Sequence, residues 1–544
     1  MPVTFRIHPA IGVARVGDSP DDYFIGPEAP GILPALTKAD TPPLPSGKKG
    51  TYKDRTSRVK RQGARFRIYE YTSNDAGTVT KVREITAADA RIEWEVHLAN
   101  RKAAAERAPD VGTPGPKFRP SKLRHRNKKM TRELLVIDAG PHTICGASQN
   151  MKRLQGRFMD MVDVPIGDLL TDAAGRLIVL GGFGKSQSVP PGVSLDSFVN
   201  NDGWHDDTSD GPVRAKVTLH GSARTVDADP AWVLVAPPDF APPIENVITL
   251  YDVVYDQAAK VSDPSLAVTD ASTVSFTKDI YPLLRRVSMM HWVSGVAAAK
   301  NAHHEKGKNH FISLVQLLSS NSADRQTTAE RRRIFRALRN PRTGKGKMPK
   351  LPERRNKNVL GPFVTKTQYK RMARWAAGTF DADWAGAEPA PVPLDQLPDA
   401  ERPHALDRAA LEACVGGPFF PGIEVSALML QAKTYDQKRP FRINTRFEPG
   451  KLTERMAVPW QADFRDCGFE DHTDWWPGQR PTHVVRGDRP HARWVPADWK
   501  REDMVDLWAQ LGFIVEETSA GTTRYIEAEL GDITVLRKRK RAMK

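Results

Sequence analysis

The sequence predicts an α+β fold with a β-rich N-terminal half, a helical middle and a mixed C-terminal part. Over about the first 250 residues, short apolar runs alternate with polar residues or end at glycines, which is typical of strands. From Phe276 onward, apolar residues recur at helical spacing between links rich in proline and lysine. We therefore expect three units, residues 1–270, 271–395 and 396–544, with the last packing as one body with the first.

The strand predictions follow the chain in order. Arg65–Tyr71 alternates and precedes the turn sequence "TSNDAGT", which predicts a hairpin. The segment "RIEWEVHLANRKAAAE" predicts a strand that runs into an edge helix. Buried strands are expected in "RELLVIDAGPHTI" and "GRLIVLGGFGKS", and the pattern continues in "AKVTLHG" and "AWVLVAPPDF".

The helix predictions begin with four segments: "TKDIYPLLRRVSMMHWVS", "FISLVQLLSS", "TTAERRRIFRALRN" and "TKTQYKRMARWAAGTF". A further helix, "ALDRAALEACV", should end at the glycines Gly416 and Gly417. The segment "ADWKREDMVDLWAQLGFIVEE" predicts one more helix and a strand near the C-terminus.

The composition is that of a soluble globular protein, with 40% hydrophobic and 27% charged residues in 544. No apolar run reaches the ~18 residues that span a bilayer, so no membrane association is expected. The three cysteines are Cys145, Cys414 and Cys467, an odd and sparse set that favours a reducing compartment. The first residues lack a secretory signal pattern. The expected location is the cytoplasm, or outside after export without a Sec signal.

Three polar segments lack the residue spacing of known ligand-binding motifs. "GGFGKSQS" lacks phosphate-loop spacing and predicts a glycine turn after a strand. "NAHHEKGKNH" lacks the zinc-binding helix spacing, and Phe198–Val213 does not fit a calcium loop and predicts a polar, turn-rich loop. The net charge of +16 comes without a nucleic-acid-binding motif, so we expect neither a metal nor a nucleic-acid partner.

The stretch Trp460–Pro481, "WQADFRDCGFEDHTDWWPGQRP", combines a thiol, an acid and two adjacent indoles. Asp463 precedes Cys467 by four residues, which places both on one helical face, and Pro477 follows Trp475 and Trp476. One interpretation is an aromatic core with a buried thiol. The other is chemical: the acid takes protons while sulfur joins an indole, and oxygenation of the ring gives an ortho-quinone. The residues alone leave both interpretations open.

Blocks along most of the chain resemble the LodA-like family of amino-acid oxidases, which use a cysteine tryptophylquinone (CTQ) cofactor and include lysine ε-oxidase and a glycine oxidase. The matching blocks, in chain order, are "RIHPAIGVARVGDSP", "YFIGPEAPG", "WEVHLANRKAA", "GRLIVLGGFGKS", "NNDGWHDDTSDGPV", "ADPAWVLVAPPDFAP", "ALDRAALEACVGGPFFPGIE" and "PWQADFRDC" followed by "WWPGQRP". The resemblance implies that Cys467 is the thioether cysteine and that Trp476, favoured over Trp475, is the quinone residue. Asp463 matches the acid that the family needs to mature its cofactor.

The resemblance also implies a substrate pocket. Cys414 matches a family cysteine close to the active site, with a packing or channel-lining role. His472 and His483 flank the tryptophans and are weaker candidates for the base than Asp463, whereas His8 is expected to be structural. The link between Cys467 and the tryptophans is shorter than in other members and the chain is shorter than the lysine oxidase, so the substrate does not carry over.

The implied function is deamination of a primary amine, with release of ammonia and hydrogen peroxide. A small amine or amino acid, or a peptide, would be the substrate, a flavoprotein would mature the cofactor, and the chain would form a homo-oligomer. Neither a flavin nor a metal is expected in this chain itself. Two alternatives stay open: a biosynthetic CTQ enzyme acting on a peptide-bound or larger amine, which an open, positive cleft would suit, and a non-catalytic member with an unmodified Cys/Trp core.

Overall fold

A computed structural model describes residues 2–42, 50–105, 126–295, 297, 311–349, 363–416, 422–467, 475–487, 489–519 and 521–531. Its strands are β1 Val3–His8, β2 Ile11–Arg15, β3 Tyr23–Ile25, β4 Arg61–Ser73, β5 Val79–Ile85, β6 Ala90–Asn100, β7 Ile137–Cys145, β8 Lys152–Phe158, β9 Val162–Thr171, β10 Leu177–Leu180, β11 Ser186–Ser188, β12 Trp204–Asp206, β13 Ser209–Leu219, β14 Thr225–Asp227, β15 Ala231–Ala236, β16 His483–Arg486, β17 Arg489–Arg493, β18 Phe513–Ser519 and β19 Thr522–Ala528.

One large sheet organises the N-terminal half. Thirteen strands belong to it, with the path β7-β6-β13-β15-β2-β4-β10-β9-β8, and β1, β3, β5 and β14 pair at its sides. Most pairs are antiparallel, but β3–β4 and β2–β15 are parallel, the latter with Ile11 opposite Trp232 and Arg15 opposite Ala236. The sheet curls, since Gly156 of β8 lies against the backbone of Asp138 in β7, at the other end of the path.

Alternation explains why these segments form strands. In β6, Ile92, Trp94, Val96 and Leu98 are buried, whereas the intervening residues are half-buried or exposed. Such a period of two puts one face of the strand on the core. All six residues of β15 are buried, as is typical of a strand covered on both faces.

The helices are α1 Leu250–Val261, α2 Tyr281–Met289, α3 Val315–Leu318, α4 Arg325–Ala337, α5 Lys366–Ala377, α6 Arg402–Glu412, α7 Trp460–Cys467 and α8 Arg501–Leu507. Helix α1 begins before the region in which the sequence predicts helices. Its start carries a capping box, because Thr249 accepts from the Asp252 backbone and the Asp252 side chain accepts from the Thr249 backbone. No helix in the described part of the chain is both long and apolar enough to cross a membrane.

The α+β prediction is confirmed, and so are the β4–β5 hairpin and the four helical segments between Phe276 and Phe380. Three details are wrong. Arg101–Ala105 forms a turn instead of continuing β6 as a helix. Helix α6 ends at Glu412, before the predicted glycines. Strand β7 buries only Ile137 and Ile144, so it is a half-exposed strand.

The main hydrophobic core extends through the chain from Phe5 to Ile514. It joins side chains of the large sheet to those of α2, α5 and the hairpin β18–β19. The core is continuous across the predicted boundaries at residues 270 and 395, and the division into three units, with the last packing on the first, stays a prediction.

Candidate active site

Helix α7 carries the acid of the sequence-predicted site. Its first residue, Trp460, follows Pro459, and its apolar residues Trp460, Ala462 and Phe464 are all buried. The Trp460 backbone N–H donates to the Asp206 carboxylate at 3.1 Å, which satisfies one of the open donors at a helix N-terminus. Asp463 and Cys467 thus lie in one helix at the predicted spacing.

Asp206 fixes the start of α7 to the large sheet. Its carboxylate accepts from Lys102 Nζ at 2.6 Å, from Asn100 Nδ2 at 2.9 Å and from Thr208 Oγ1 at 2.9 Å. Lys102 and Asp206 are both fully buried, so the pair is shielded from solvent.

The prediction of a polar, turn-rich loop over Phe198–Val213 is wrong for its second half. Residues 204–206 and 209–213 belong to strands, and Asp206, Asp207 and Asp210 are buried. Each buried carboxylate has backbone or side-chain donors, as burial requires. The density of aspartates therefore reflects an internal hydrogen-bond network.

A glycine-rich loop after β10 supports the other side of α7. The Gly184 carbonyl accepts from Gln461 Nε2 at 2.9 Å and from Trp508 Nε1 at 3.1 Å. Ser186 Oγ donates to Gln461 Oε1 at 2.7 Å. Gly184 has a φ of +67°, and a Cβ there would overlap the Trp508 indole, so the position requires glycine.

Arg480 brings the acid and one indole together. Its guanidinium forms a buried ion pair with Asp463 and lies 5.4 Å from the centroid of the Trp476 ring. Its backbone carbonyl accepts from Trp476 Nε1 at 2.6 Å. We call these three residues the Arg480 cluster. Trp475 is also buried, but it belongs to the main hydrophobic core.

The turn after the tryptophans is fixed by amide side chains. Asn246 Oδ1 accepts from the Gly478 backbone at 3.0 Å, and Asn246 Nδ2 donates to Gln479 Oε1 at 3.2 Å. Gln479 Nε2 donates to the Ala413 carbonyl at 3.1 Å. The turn that carries Arg480 is therefore tied to the segment that follows α6.

The remaining candidates occupy different places. The Cys467 side chain and His472 lie outside the described residues. Cys414 is fully buried, its Sγ donates to the Ala410 carbonyl at 3.4 Å, and burial raises the pKa of its thiol well above the usual value.

His483 is half-buried, with Nδ1 3.2 Å from Thr482 Oγ1, and burial lowers its pKa. His8 Nδ1 lies 2.9 Å from Asp407 Oδ1, and its structural role stays a prediction.

Two family profiles match the chain and together cover about two thirds of it. "L-Lysine epsilon oxidase N-terminal" matches residues 8–235, and "L-lysine epsilon oxidase C-terminal domain" matches residues 354–486. The chain belongs to the LodA-like family. The resemblance found in the sequence blocks is thereby confirmed.

A LodA-like relative with a curated description is L-lysine 6-oxidase of Marinomonas mediterranea, which is 28% identical over 554 aligned positions covering 86% of this chain and 72% of the relative. Among solved structures, the fold is similar to L-Lys epsilon-oxidase of the same organism in its Schiff base intermediate with L-Lys. That similarity has a TM-score of 0.74 at 23% identity and covers 97% of this chain and 95% of the other. A second structure of the epsilon-lysine oxidase gives a TM-score of 0.73 at 22% identity, with the same coverage.

In this LodA-like chain, sequence reasoning missed the residues that hold the predicted ones. Arg480, Gln461 and Asp206 each lie inside a block that carries the family resemblance. These blocks are far apart in the sequence, and only the fold brings them together at α7. Asp463 itself could have indicated Arg480, because an acid among the apolar residues of a buried helix requires a nearby cation or several hydrogen-bond donors. Within the described residues, no group of three or more His, Cys, Asp or Glu side chains is placed to hold a metal.

Proposed function

We propose that the protein is a CTQ-dependent amine oxidase that deaminates a primary amine and releases ammonia and hydrogen peroxide. The observation that carries the proposal is the Arg480 cluster. In it, one arginine contacts both the acid of α7 and the Trp476 ring. Membership of the LodA-like family supports the same reaction class.

The residues present fit a protein-derived quinone. Cys467 and Trp476 would hold it. Asp463 shares α7 with Cys467 and pairs with Arg480, which contacts the Trp476 ring. When formed, a cysteine tryptophylquinone supplies an electrophilic carbonyl for an amine and a store for two electrons that oxygen then removes. We favour Trp476 over Trp475 because Trp476 contacts the charged pair, whereas Trp475 packs among apolar side chains.

The chain's own groups then have defined tasks. Arg480 favours the carboxylate form of Asp463, because a nearby positive charge stabilises the charged state of an acid. A carboxylate can accept the proton that a carbon next to the amine must lose. Burial of Asp463, Arg480 and Trp476 excludes water, which strengthens each electrostatic contact.

The substrate class follows from the relative. L-lysine 6-oxidase acts on an amino acid with a primary side-chain amine, and we propose a small amine or amino acid for this chain. We also propose that a flavoprotein matures the cofactor, that the chain forms a homo-oligomer, and that no nucleic acid takes part.

The test is the intact mass of protein co-expressed with its flavoprotein partner. We expect oxygen gained on the ring and the thioether hydrogens lost, together with peroxide release from a panel of free amino acids and amines. Trp476→Phe should abolish both signals, while the matched variant Trp475→Phe should keep the mass change. An unmodified mass in the co-expressed protein, or a Cys467→Ala variant that still turns over, would overturn the proposal.

A further inference from the structure

A basic surface covers one side of helix α4 and the turn that follows it. Residues 324–347 contain nine lysines and arginines but only two acids, so this segment holds +7 of the chain's net charge of +16. Six of these cations are exposed, and we call them the α4 basic surface: Arg325, Arg332, Arg336, Arg342, Lys345 and Lys347. Nearly half of the net charge is therefore concentrated in one short segment.

Three arginines of α4 form a stripe along its exposed side. Arg332 and Arg336 follow Arg325 by seven and eleven residues, a spacing that puts all three on one helical face. At ~1.5 Å per residue, the stripe is about 16 Å long. Thr327 and Ile334 are buried on the opposite face. Helix α4 therefore packs through one side and exposes the arginines on the other.

Within the residues that the structure describes, no acid lies at ion-pair distance from these six cations. The two acids of the segment have other partners. Asp324 accepts from a backbone N–H at the start of α4, and Glu330 pairs with Arg333 at 2.6 Å. On the large sheet, by contrast, the exposed side chains of Arg157 and Arg214 each pair with an acid. The α4 basic surface thus keeps its charge available for a partner.

The stability of the helix does not explain the stripe. Arg325 is the first residue of α4, where the helix dipole disfavours a positive charge. Arg332 and Arg336 are four residues apart, a spacing at which like charges repel by about 0.2–0.5 kcal/mol. Only Arg336, in the last turn, has a favourable position relative to the dipole. An anionic partner would remove the repulsion within the stripe.

Contacts on the inner side hold the α4 basic surface in place. Arg331 donates to two carbonyls of the loop that precedes α4. In the turn after the helix, Asn340 Oδ1 accepts from the Arg342 backbone at 2.8 Å. The Lys347 backbone donates to the Ala337 carbonyl at 2.9 Å, which ties the turn to the end of α4. A surface that is ordered beforehand loses less entropy when a partner binds.

The chemistry of the surface favours carboxylates on a folded partner. Guanidinium groups bind carboxylates through two parallel hydrogen bonds. Single-stranded nucleic acid needs aromatic rings for base stacking, but Phe335, the one aromatic residue of this segment, packs against Tyr369 at 4.9 Å between ring centroids. A membrane surface favours exposed apolar anchors, and the exposed large apolar side chains of the described residues lie elsewhere.

We propose that the α4 basic surface docks an acidic face of a protein partner, with the arginine stripe as the main contact and the cations of the turn at its edge. A stripe of about 16 Å matches about three turns of a helix that carries acids along one side. The inference goes beyond the amine oxidase reaction and does not depend on it, because none of the six residues belongs to the Arg480 cluster.

Fluorescence anisotropy with labelled poly-L-glutamate tests the docking. The stripe variant combines Arg325→Gln, Arg332→Gln and Arg336→Gln, and it should bind at least tenfold more weakly than the parent. The matched control lowers the net charge equally on the large sheet and should stay within twofold of the parent: Arg91→Gln, Arg157→Gln and Arg214→Gln. Lysine at the three stripe positions keeps the charge and should retain most of the affinity.

Thermal unfolding separates a loss of binding from a loss of folding. Relief of like-charge repulsion predicts that the stripe variant keeps the thermal midpoint of the parent or raises it. Equal affinities of the stripe variant and the control, or no binding of poly-L-glutamate to the parent at low salt, would overturn the inference. Tighter binding of a DNA duplex or of phosphatidylserine vesicles through the same three arginines would overturn the choice of a protein partner.

Peroxide release from a small amine should be equal in the parent and the stripe variant. A parent that binds poly-L-glutamate through the stripe but never releases peroxide would overturn the proposed function and leave the docking surface standing.

Discussion

Arg480 is anchored by both its side chain and its backbone. The guanidinium pairs with Asp463 and the carbonyl accepts from Trp476, so a shift of the turn changes both contacts together. Charges taken out of water are costly unless they are paired, and removal of one partner leaves the other uncompensated. The cluster is therefore sensitive to any change at Arg480.

Arg480→Met should lower the free energy of unfolding by about 3–5 kcal/mol, because Asp463 would remain buried without its cation. Denaturant unfolding measures the change. The control is Arg157→Met, which breaks an exposed 3.2 Å pair with Asp163 and should cost at most about 1 kcal/mol. Equal costs for the two variants would contradict a tightly coupled cluster.

Asp207 should make stability depend on pH. Its Oδ2 accepts from the Phe183 and Lys185 backbones, its Oδ1 has no hydrogen-bond partner among the residues that the structure describes, and burial raises its pKa to about 7. The unfolded group titrates near 3.9, so the folded protein binds the extra proton between these values. The contribution of Asp207 to stability is thus full at low pH and is lost as pH rises through about 7.

Asp207→Asn should therefore gain stability relative to the parent, by about 1 kcal/mol or more, between pH 4 and pH 7.5. Urea unfolding at a series of pH values provides the measurement. Asp163→Asn, which removes an exposed acid, should follow the parent's profile. Parallel profiles for Asp207→Asn and the parent would mean that folding leaves the pKa of Asp207 unchanged.

At the scale of elements, helix α7 depends on its neighbours more than on its own sequence. It has only eight residues, and isolated helices of that length are marginal in water. Asp206 supports its N-terminus, and Gly184 binds Gln461 in its first turn. Trp508 shares the same glycine carbonyl and packs on Trp460 at 5.4 Å between ring centroids.

Gly184→Ala should disrupt this support. The new Cβ would overlap Trp508, in addition to the strain of a positive φ, so we expect a loss of more than about 2 kcal/mol and less quinone absorbance in the co-expressed protein. Gly192→Ala is the matched control, since Gly192 has a φ of +88° with open space around it and should cost about 1 kcal/mol. A Gly184→Ala protein as stable and as modified as Gly192→Ala would refute the support by this loop.

Elements whose apolar residues recur at regular spacing could be predicted from the sequence. Elements that depend on a cap or on contacts with distant residues could not. β6 and α5 have regular alternating or helical patterns, and both occur where expected. The start of α1 was missed because its signal is a capping box at Thr249 within an apolar run. The turn at Arg101–Ala105 replaced a predicted helix because Lys102 is drawn into the buried pair with Asp206.

At the scale of the whole molecule, the continuous core decides how the protein should unfold. Side chains from Phe5 to Ile514 share one cluster, so the loss of any part exposes apolar surface of the rest. The predicted boundaries at residues 270 and 395 rest on where the spacing of apolar residues changes from strand-like to helical and on proline-rich links. The spacing of apolar residues indicates local secondary structure, whereas cooperative unfolding depends on contacts between segments that are distant in the sequence.

We expect one cooperative thermal transition, with far-UV circular dichroism and tryptophan fluorescence changing together. Twelve tryptophans give the fluorescence signal wide coverage of the chain. Two separated transitions, with the strand signal persisting after the helical signal is lost, would instead support a helical unit that unfolds independently of the β-rich part.

The support of α7 also has a consequence for the timing of synthesis. Lys102 acts on the helix through Asp206, and Trp508 acts through Gly184, so supporting groups that are far apart in the sequence leave the ribosome at different times. Domains form from the N-terminus as the chain emerges, and the large sheet can assemble early. Helix α7 acquires its full support only when Trp508 has been made. A modified tryptophan would then mark a chain that has been synthesised at least as far as Trp508, and products that stop before that residue would stay inert.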